Sequence, residues 1–261
     1  MPETILFVHG MFQNAKSWEK WTEYFQAKGY NCVTESWPLH EGDPAELRQS
    51  PPAGLGQLHL EPVIDHFRQF IRSLGIQPIA IGHSVGGLIV QKLAADGLVS
   101  TAVPISSVAP NRMLAFDWGF FKNSFAIANP LAGNQMFEMT PDSFHASFAN
   151  TLSESASNAA YERTATHDSR NILRDCMSET GHIDLSKPHV PFLFISAEKD
   201  EIIPPELVQK NAKAYLDHES VSDYEAFPNR SHFICGEPGW EDVATSIATW
   251  LSTGEISRQS S

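Results

Sequence analysis

Hydrophobic residues fall along this chain in two alternating patterns, short runs and longer stretches of helical period. Ile5–Val8, Asn31–Glu35, Ile79–Ile81, Ala102–Ser106, Phe192–Ser196 and Asp223–Phe227 read as strands. Between the first two, Ser17 is placed to N-cap a helix with Trp18, Trp21, Tyr24 and Phe25 on one face and Gly29 at its end. Pro62 opens a second helix, with Val63, Ile64, Phe67, Phe70, Ile71 and Leu74 at i, i+1, i+4, i+7, i+8 and i+11, closed by Gly75. Leu88, Ile89, Leu93 and Ala94 repeat the helical spacing up to Gly97. Pro204 and Pro205 start another helix through about Tyr215, and Trp240–Leu251 forms the last. This alternation predicts an α/β fold: a six-stranded, mostly parallel sheet with helices on both faces.

The alternation fails once. Residues 111–188 contain no strand-like run, many small polar residues and several aromatics. The stretch is too long for a loop in a compact domain. It predicts a helical cap inserted between strands four and five, leaving 1–110 and 189–261 as the core. Trp37–Glu61 reads as a Pro/Gly-rich loop, and Gly254–Ser261 as a frayed polar tail.

The composition narrows the partners. The chain has 261 residues and a formal charge of −13, which argues against nucleic acid and anionic membrane surfaces. The expected partner is a small-molecule substrate, with the protein a monomer or homodimer. Cys32, Cys176 and Cys235 are odd in number and widely spaced, which reads as reduced thiols. The first residues lack a basic region and a long apolar run, so the expected location is cytoplasmic. No metal is expected, since the histidines show no ligand-like spacing with cysteines or carboxylates. No cofactor is expected either, because neither a G-x-G-x-x-G nor a P-loop pattern occurs.

The chemistry sits at Gly82-His83-Ser84-Val85-Gly86-Gly87. A strand precedes it and a helix follows, the layout of a nucleophile elbow. A serine hydroxyl is a weak nucleophile and needs an adjacent base. His232, after the last strand, can fold back over the carboxyl edge of the sheet. A carboxylate must orient that histidine. Asp200, just after the fifth strand, is the first choice; Glu201 and Asp184 compete, though Asp184 precedes the strand. Acyl transfer also needs two amide donors for an oxyanion, and the N–H of Val85 is one.

Four segments together resemble the α/β-hydrolase fold family, over nearly the whole chain: His9-Gly10-Met11-Phe12, the Ser84 elbow, Ser196 to Pro204, and Asn229-Arg230-Ser231-His232-Phe233. The order Ser, Asp, His is the one this fold uses. The resemblance implies Met11 N–H as the second oxyanion donor, with Phe12 a substitute. His9 is expected to brace that loop rather than take part in catalysis. The compact size resembles the branch of plant methylesterases and hydroxynitrile lyases. Lyases of that branch place threonine where this chain has Gly10 and lysine after the catalytic histidine, where this chain has Phe233. Both departures favour ester hydrolysis.

Phe116, Trp118, Phe120, Phe121, Phe125, Phe137, Phe144 and Phe148 crowd the first part of the cap. They are either the cap's own core or pocket walls. The expected pocket set is Phe12, His83, Trp118, Phe121, Phe125, Phe148 and Phe233. The expected function is a serine hydrolase that cleaves an apolar or aromatic ester, thioester or lactone through an acyl-enzyme. A carbon–carbon bond hydrolase with the same triad, or a non-catalytic receptor, are the alternatives.

Overall fold

A computed structural model describes residues 2–113 and 127–259. Its frame is one six-stranded sheet: β1 (Thr4–Val8), β2 (Asn31–Thr34), β3 (Ile79–His83), β4 (Thr101–Ile105), β7 (Phe192–Ala197) and β8 (Ser222–Phe227). The spatial order is β2-β1-β3-β4-β7-β8, and every pairing is parallel. The four inner strands are fully buried along their length, which is why they read as apolar runs rather than alternating ones.

Successive residues still point to opposite faces. Leu6, Val8 and Ala80 join one apolar cluster with α3 (Leu60–Leu74) and α4 (Val85–Ala95). Ile5, Phe7, Ile79 and Ile81 join the other, against α1 (Glu19–Ala27) and the last helix, Trp240–Gln259. The helices form for local reasons. Gly75 closes α3 with φ 68, a conformation glycine adopts without the Cβ penalty. Asp43 caps the short helix α2 (Pro44–Gln49) by accepting from the Ala45 and Glu46 amides.

Several expectations need correction. Asn14, not Ser17, caps the first helical segment, by accepting from the Lys16 amide; Ser17 donates to the Asn14 carbonyl instead. The supposed loop 37–61 contains α2, whose signal, Asp43 before Pro44, was present in the sequence. The last helix passes Leu251 and Gly254 and runs to Gln259, so this part of the expected tail is helical.

The stretch between β4 and β7 is where the break in pattern places the insertion. It is not purely helical. β5 (Met136–Phe137) pairs antiparallel with β6 (Asp168–Ser169), and two-residue strands are too short to leave a period. Its main helices are Glu154–Thr164 and Arg170–Cys176. Phe144 and Phe148 stack at 5.0 Å inside it. Phe116, Trp118, Phe120, Phe121 and Phe125 lie outside the described residues.

Beneath the sheet, Phe7, Trp18, Trp21 and Trp240 form an aromatic cluster, with Trp21 within 6.3 Å of each of the other rings. Trp21 is fully buried, and its indole N–H donates to the Cys235 carbonyl at 2.8 Å. Trp21→Ala should therefore cost about 3–5 kcal/mol. Urea unfolding measures this, and a loss below about 1 kcal/mol would mean that the cluster collapses without penalty.

Candidate functional site

β3 ends at His83 and α4 starts at Val85, so the chain reverses within one residue. Ser84 takes φ 57 and ψ −119, a backbone state that costs about 1–3 kcal/mol in a non-glycine residue. Three hydrogen bonds hold it. Its N–H donates to the Ile105 carbonyl at 2.9 Å, and its own carbonyl accepts from Gly87 at 3.0 Å and Val108 at 3.1 Å. A Cβ on Gly82 would fall on the Gly86 carbonyl, and one on Gly86 on the Val8 and His9 carbonyls. Only glycine lets β1, β3 and α4 come this close. The Ser84 side chain makes no capping bond to its helix, so the hydroxyl is not engaged there. As the first residue of α4, Val85 has an N–H with no intrahelical acceptor, at the positive end of the helix dipole.

His232 lies after β8. Its Nδ1 donates to Asp200 Oδ2 at 2.7 Å, and its ring is 1% exposed. The other oxygen, Asp200 Oδ1, accepts from the Ile202 and Ile203 amides, both at 2.8 Å. The carboxylate is thus saturated and fixed, as a buried charge must be. Asp200 is the carboxylate bonded to His232, and Asp184 accepts from the Ser186 hydroxyl instead. Sequence reasoning missed Glu237, which is 2% exposed. It accepts from the Ser231 N–H and hydroxyl, each at 3.0 Å, and from Thr151. It anchors the turn that carries His232.

Ser84 and His232 open on one cleft. Among the described residues its other walls are Met11, Phe12, Val85, Val108, Ile127, Phe148, Leu173, Ile202 and Ile203, all apolar. Ile127, Phe148 and Leu173 come from the insertion. Roomier hollows beside Lys92 and His189, and beside Lys16 and Arg163, contain neither Ser84 nor His232. Chemistry, not volume, singles out the small cleft.

Of the expected pocket residues, Phe12 and Phe148 line this cleft. Phe148 also packs edge-on to His232 at 4.9 Å, so it is both wall and core. His83 and Phe233 do not line it. His83 is buried, and its Nε2 donates to the His232 carbonyl at 2.8 Å. The Phe233 ring packs on Phe144 and Phe148. Trp118, Phe121 and Phe125 lie outside the described residues.

The loop after β1 completes the site. His9 Nδ1 donates to the Gly10 carbonyl at 2.8 Å, while Nε2 accepts from the Trp37 N–H at 3.0 Å. That carbonyl shares a planar peptide with Met11 N–H, so fixing one end aims the other. The Phe12 N–H is already committed to Asp168 at 3.0 Å, which leaves Met11 as the loop's candidate donor. A Cβ on Gly10 would approach His83 O and Ser84 Cβ to 2.8 Å, so threonine does not fit there without displacing the elbow.

The three cysteines are free. Burial pushes the Cys32 thiol up to about 11 and raises those of Cys176 and Cys235 as well. Among the described residues, no cluster of three or more His, Cys, Asp or Glu could hold a metal ion, and no helix is long and apolar enough to cross a membrane.

Residues 5–244 match the model of the Alpha/beta hydrolase family, and the chain belongs to that family. Similar solved structures include a monoacylglycerol lipase from Paleococcus ferrophilus, at 20% identity and TM-score 0.70, covering 97% of this chain and 96% of that one. A tomato Methylketone Synthase I variant complexed with beta-ketoheptanoate aligns at 15% identity and TM-score 0.73, covering 97% and 98%. A polyneuridine aldehyde esterase aligns at 13% identity and TM-score 0.65, covering 96% and 100%. At these identities the likeness is one of fold. No functionally curated protein matches the sequence.

Two buried histidines beside the site set an acid limit on stability. Burial, then the neighbouring His40 charge, holds His9 well below the usual histidine range, against its bond to Gly10. Burial, then His232, does the same to His83. The folded state therefore binds fewer protons than the unfolded chain below about pH 6.5. Stability is unaffected above that pH and falls below it, by up to about 1.4 kcal/mol per pH unit for each histidine. His83→Gln keeps a donor but cannot titrate, so it should flatten the decline between pH 6.5 and 5. Unfolding free energies at several pH values test this; an unchanged slope would show that His83 carries a proton in the fold.

Proposed function

We propose that this protein is a serine hydrolase that cleaves an uncharged, apolar or aromatic carboxylic ester, thioester or lactone through an acyl-enzyme. The observation that carries the reading is the convergence on one apolar cleft of a serine at a strained strand–helix turn and a histidine bonded to a saturated carboxylate. Neutral histidine bonded at Nδ1 to Asp200 presents Nε2 as the base. Ser84 Oγ loses its proton to that nitrogen and attacks the substrate carbonyl. Met11 and Val85 N–H groups stabilise the tetrahedral oxyanion. His232 then returns the proton to the leaving alcohol or thiol. Water, activated by the same nitrogen, releases the acid and restores Ser84.

Among the described residues the apolar walls give a charged substrate no partner, which supports a neutral one. The insertion acts as the cap that covers Ser84 and sets substrate size. The crowded Gly10 supports hydrolysis over the lyase chemistry associated with threonine at that position. The lipase and esterase among similar folds are consistent with this class.

A fluorophosphonate probe should label Ser84, and the wild type should hydrolyse short neutral esters. Ser84→Ala should abolish both while melting normally. Asp200→Asn, which inverts the preferred tautomer, should lower kcat by about 10⁴-fold. Turnover persisting in Ser84→Ala, with Ser84 unlabelled in the wild type, would falsify the reading.

A further inference from the structure

The insertion grips the loop after β1 at one residue. Phe12 has φ 64, a region sparsely populated for bulky side chains. Its N–H donates to Asp168 Oδ2 at 3.0 Å, and its carbonyl accepts from Thr166 N–H at 2.9 Å. Both partners belong to one short stretch of the insertion. Asp168 pairs with Phe137 in the β5–β6 ribbon, and the Phe137 ring sits 5.5 Å from that of Phe12. Phe12 is thus held on its amide, its carbonyl and its ring.

Asp168 is a costly residue for a purely structural contact. It is completely buried, and a buried carboxylate needs compensating partners. Oδ1 accepts from the Ser169 amide at 2.7 Å. His40 Nε2, from the loop after β2, lies 3.5 Å from Oδ2, and its ring is 1% exposed. His40 Nδ1 donates to the Pro38 carbonyl at 3.1 Å. A carboxylate, a histidine and a strained peptide therefore meet behind the cleft, joining three segments distant in sequence.

We propose that Asp168 is a positioning residue for the oxyanion hole, through which the insertion fixes the Met11 amide. It rests on the hydrolase reading above. The Met11 Cα lies between two peptide planes. His9 fixes the first through the Gly10 carbonyl, and Asp168 fixes the second through the Phe12 N–H. With both planes held, the Met11 N–H has one direction. Without Asp168, the second plane loses the anchor at its Phe12 N–H, and that amide competes for the oxyanion or for water. The donor's aim matters only when negative charge develops on the substrate oxygen.

The test compares Asp168→Asn, which keeps an oxygen acceptor for the Phe12 amide, with Asp168→Leu, which has the same branched shape, a larger volume and no acceptor. On a short neutral ester, Asp168→Leu should lower kcat about a hundredfold with KM within about threefold. Affinity for a boronic acid that forms a tetrahedral adduct on Ser84 should fall in step with kcat. Asp168→Asn should recover most of both. Hydrogen exchange at the Phe12 amide, which needs no substrate, should be slow in the wild type and Asp168→Asn and fast in Asp168→Leu. If Asp168→Leu does not fold, Asp168→Ser is judged by the same criteria. Unchanged kcat and unchanged exchange would overturn the proposal, as would equal losses in the Asn and Leu variants that follow melting temperature alone. An inert wild-type Ser84 would instead remove the hydrolase reading, and the exchange result would still decide the clamp.

Discussion

The close approach of three backbones around Ser84 is the constraint on which the site depends. The turn from β3 into α4 has room for no side chain at positions 82 and 86, and almost none at position 10. That crowding forces Ser84 into its unusual conformation and leaves its hydroxyl clear of its own helix. The strain costs about 1–3 kcal/mol. It is offset by three hydrogen bonds to Ser84 and by the burial of α4 along nearly its whole length. A helix so enclosed cannot slide to relax the turn.

Around this turn, the carboxyl edge of the sheet carries a concentration of polar groups in an otherwise apolar setting. Its buried carboxylates each have specific partners, because an unpaired charge would cost more than the fold can spare. Asp200 is satisfied by two amides and His232; Glu237 by Ser231 and Thr151; Asp168 by Phe12, Ser169 and His40. The bonds form two groups, one around the histidine turn and one around the loop after β1. His83 and His9, neutral by burial, tie these groups to the elbow and to Trp37. Rigidity at the site thus comes from satisfied polar contacts, while stability comes from the two apolar layers beneath.

The core was legible in the sequence because its periods are local. A buried parallel strand is an apolar run, and an amphipathic helix repeats at 3.6 residues, whatever lies far away. The elbow was legible for a related reason: close packing demands glycine at fixed spacing from the serine. The order of Ser84, Asp200 and His232 could be read because each follows a strand, and parallel strands end on one edge. Local signals also had limits. Asn14 outcompeted Ser17 as a cap, and the ribbon between Met136–Phe137 and Asp168–Ser169 was too short to show a period.

Sequence alone therefore determined the α/β architecture, the candidate nucleophile and the order of its partners, since each is encoded within a few residues. Tertiary structure decided which amide of the loop after β1 stays available, because Asp168 lies 156 residues from Phe12. It also decided that His83 and Phe233 face away from the cleft, and that Ile127, Leu173, Ile202 and Ile203 help to wall it. These outcomes depend on contacts between distant segments, whose pairing is fixed by how the insertion packs on the sheet and leaves no period or motif in the chain.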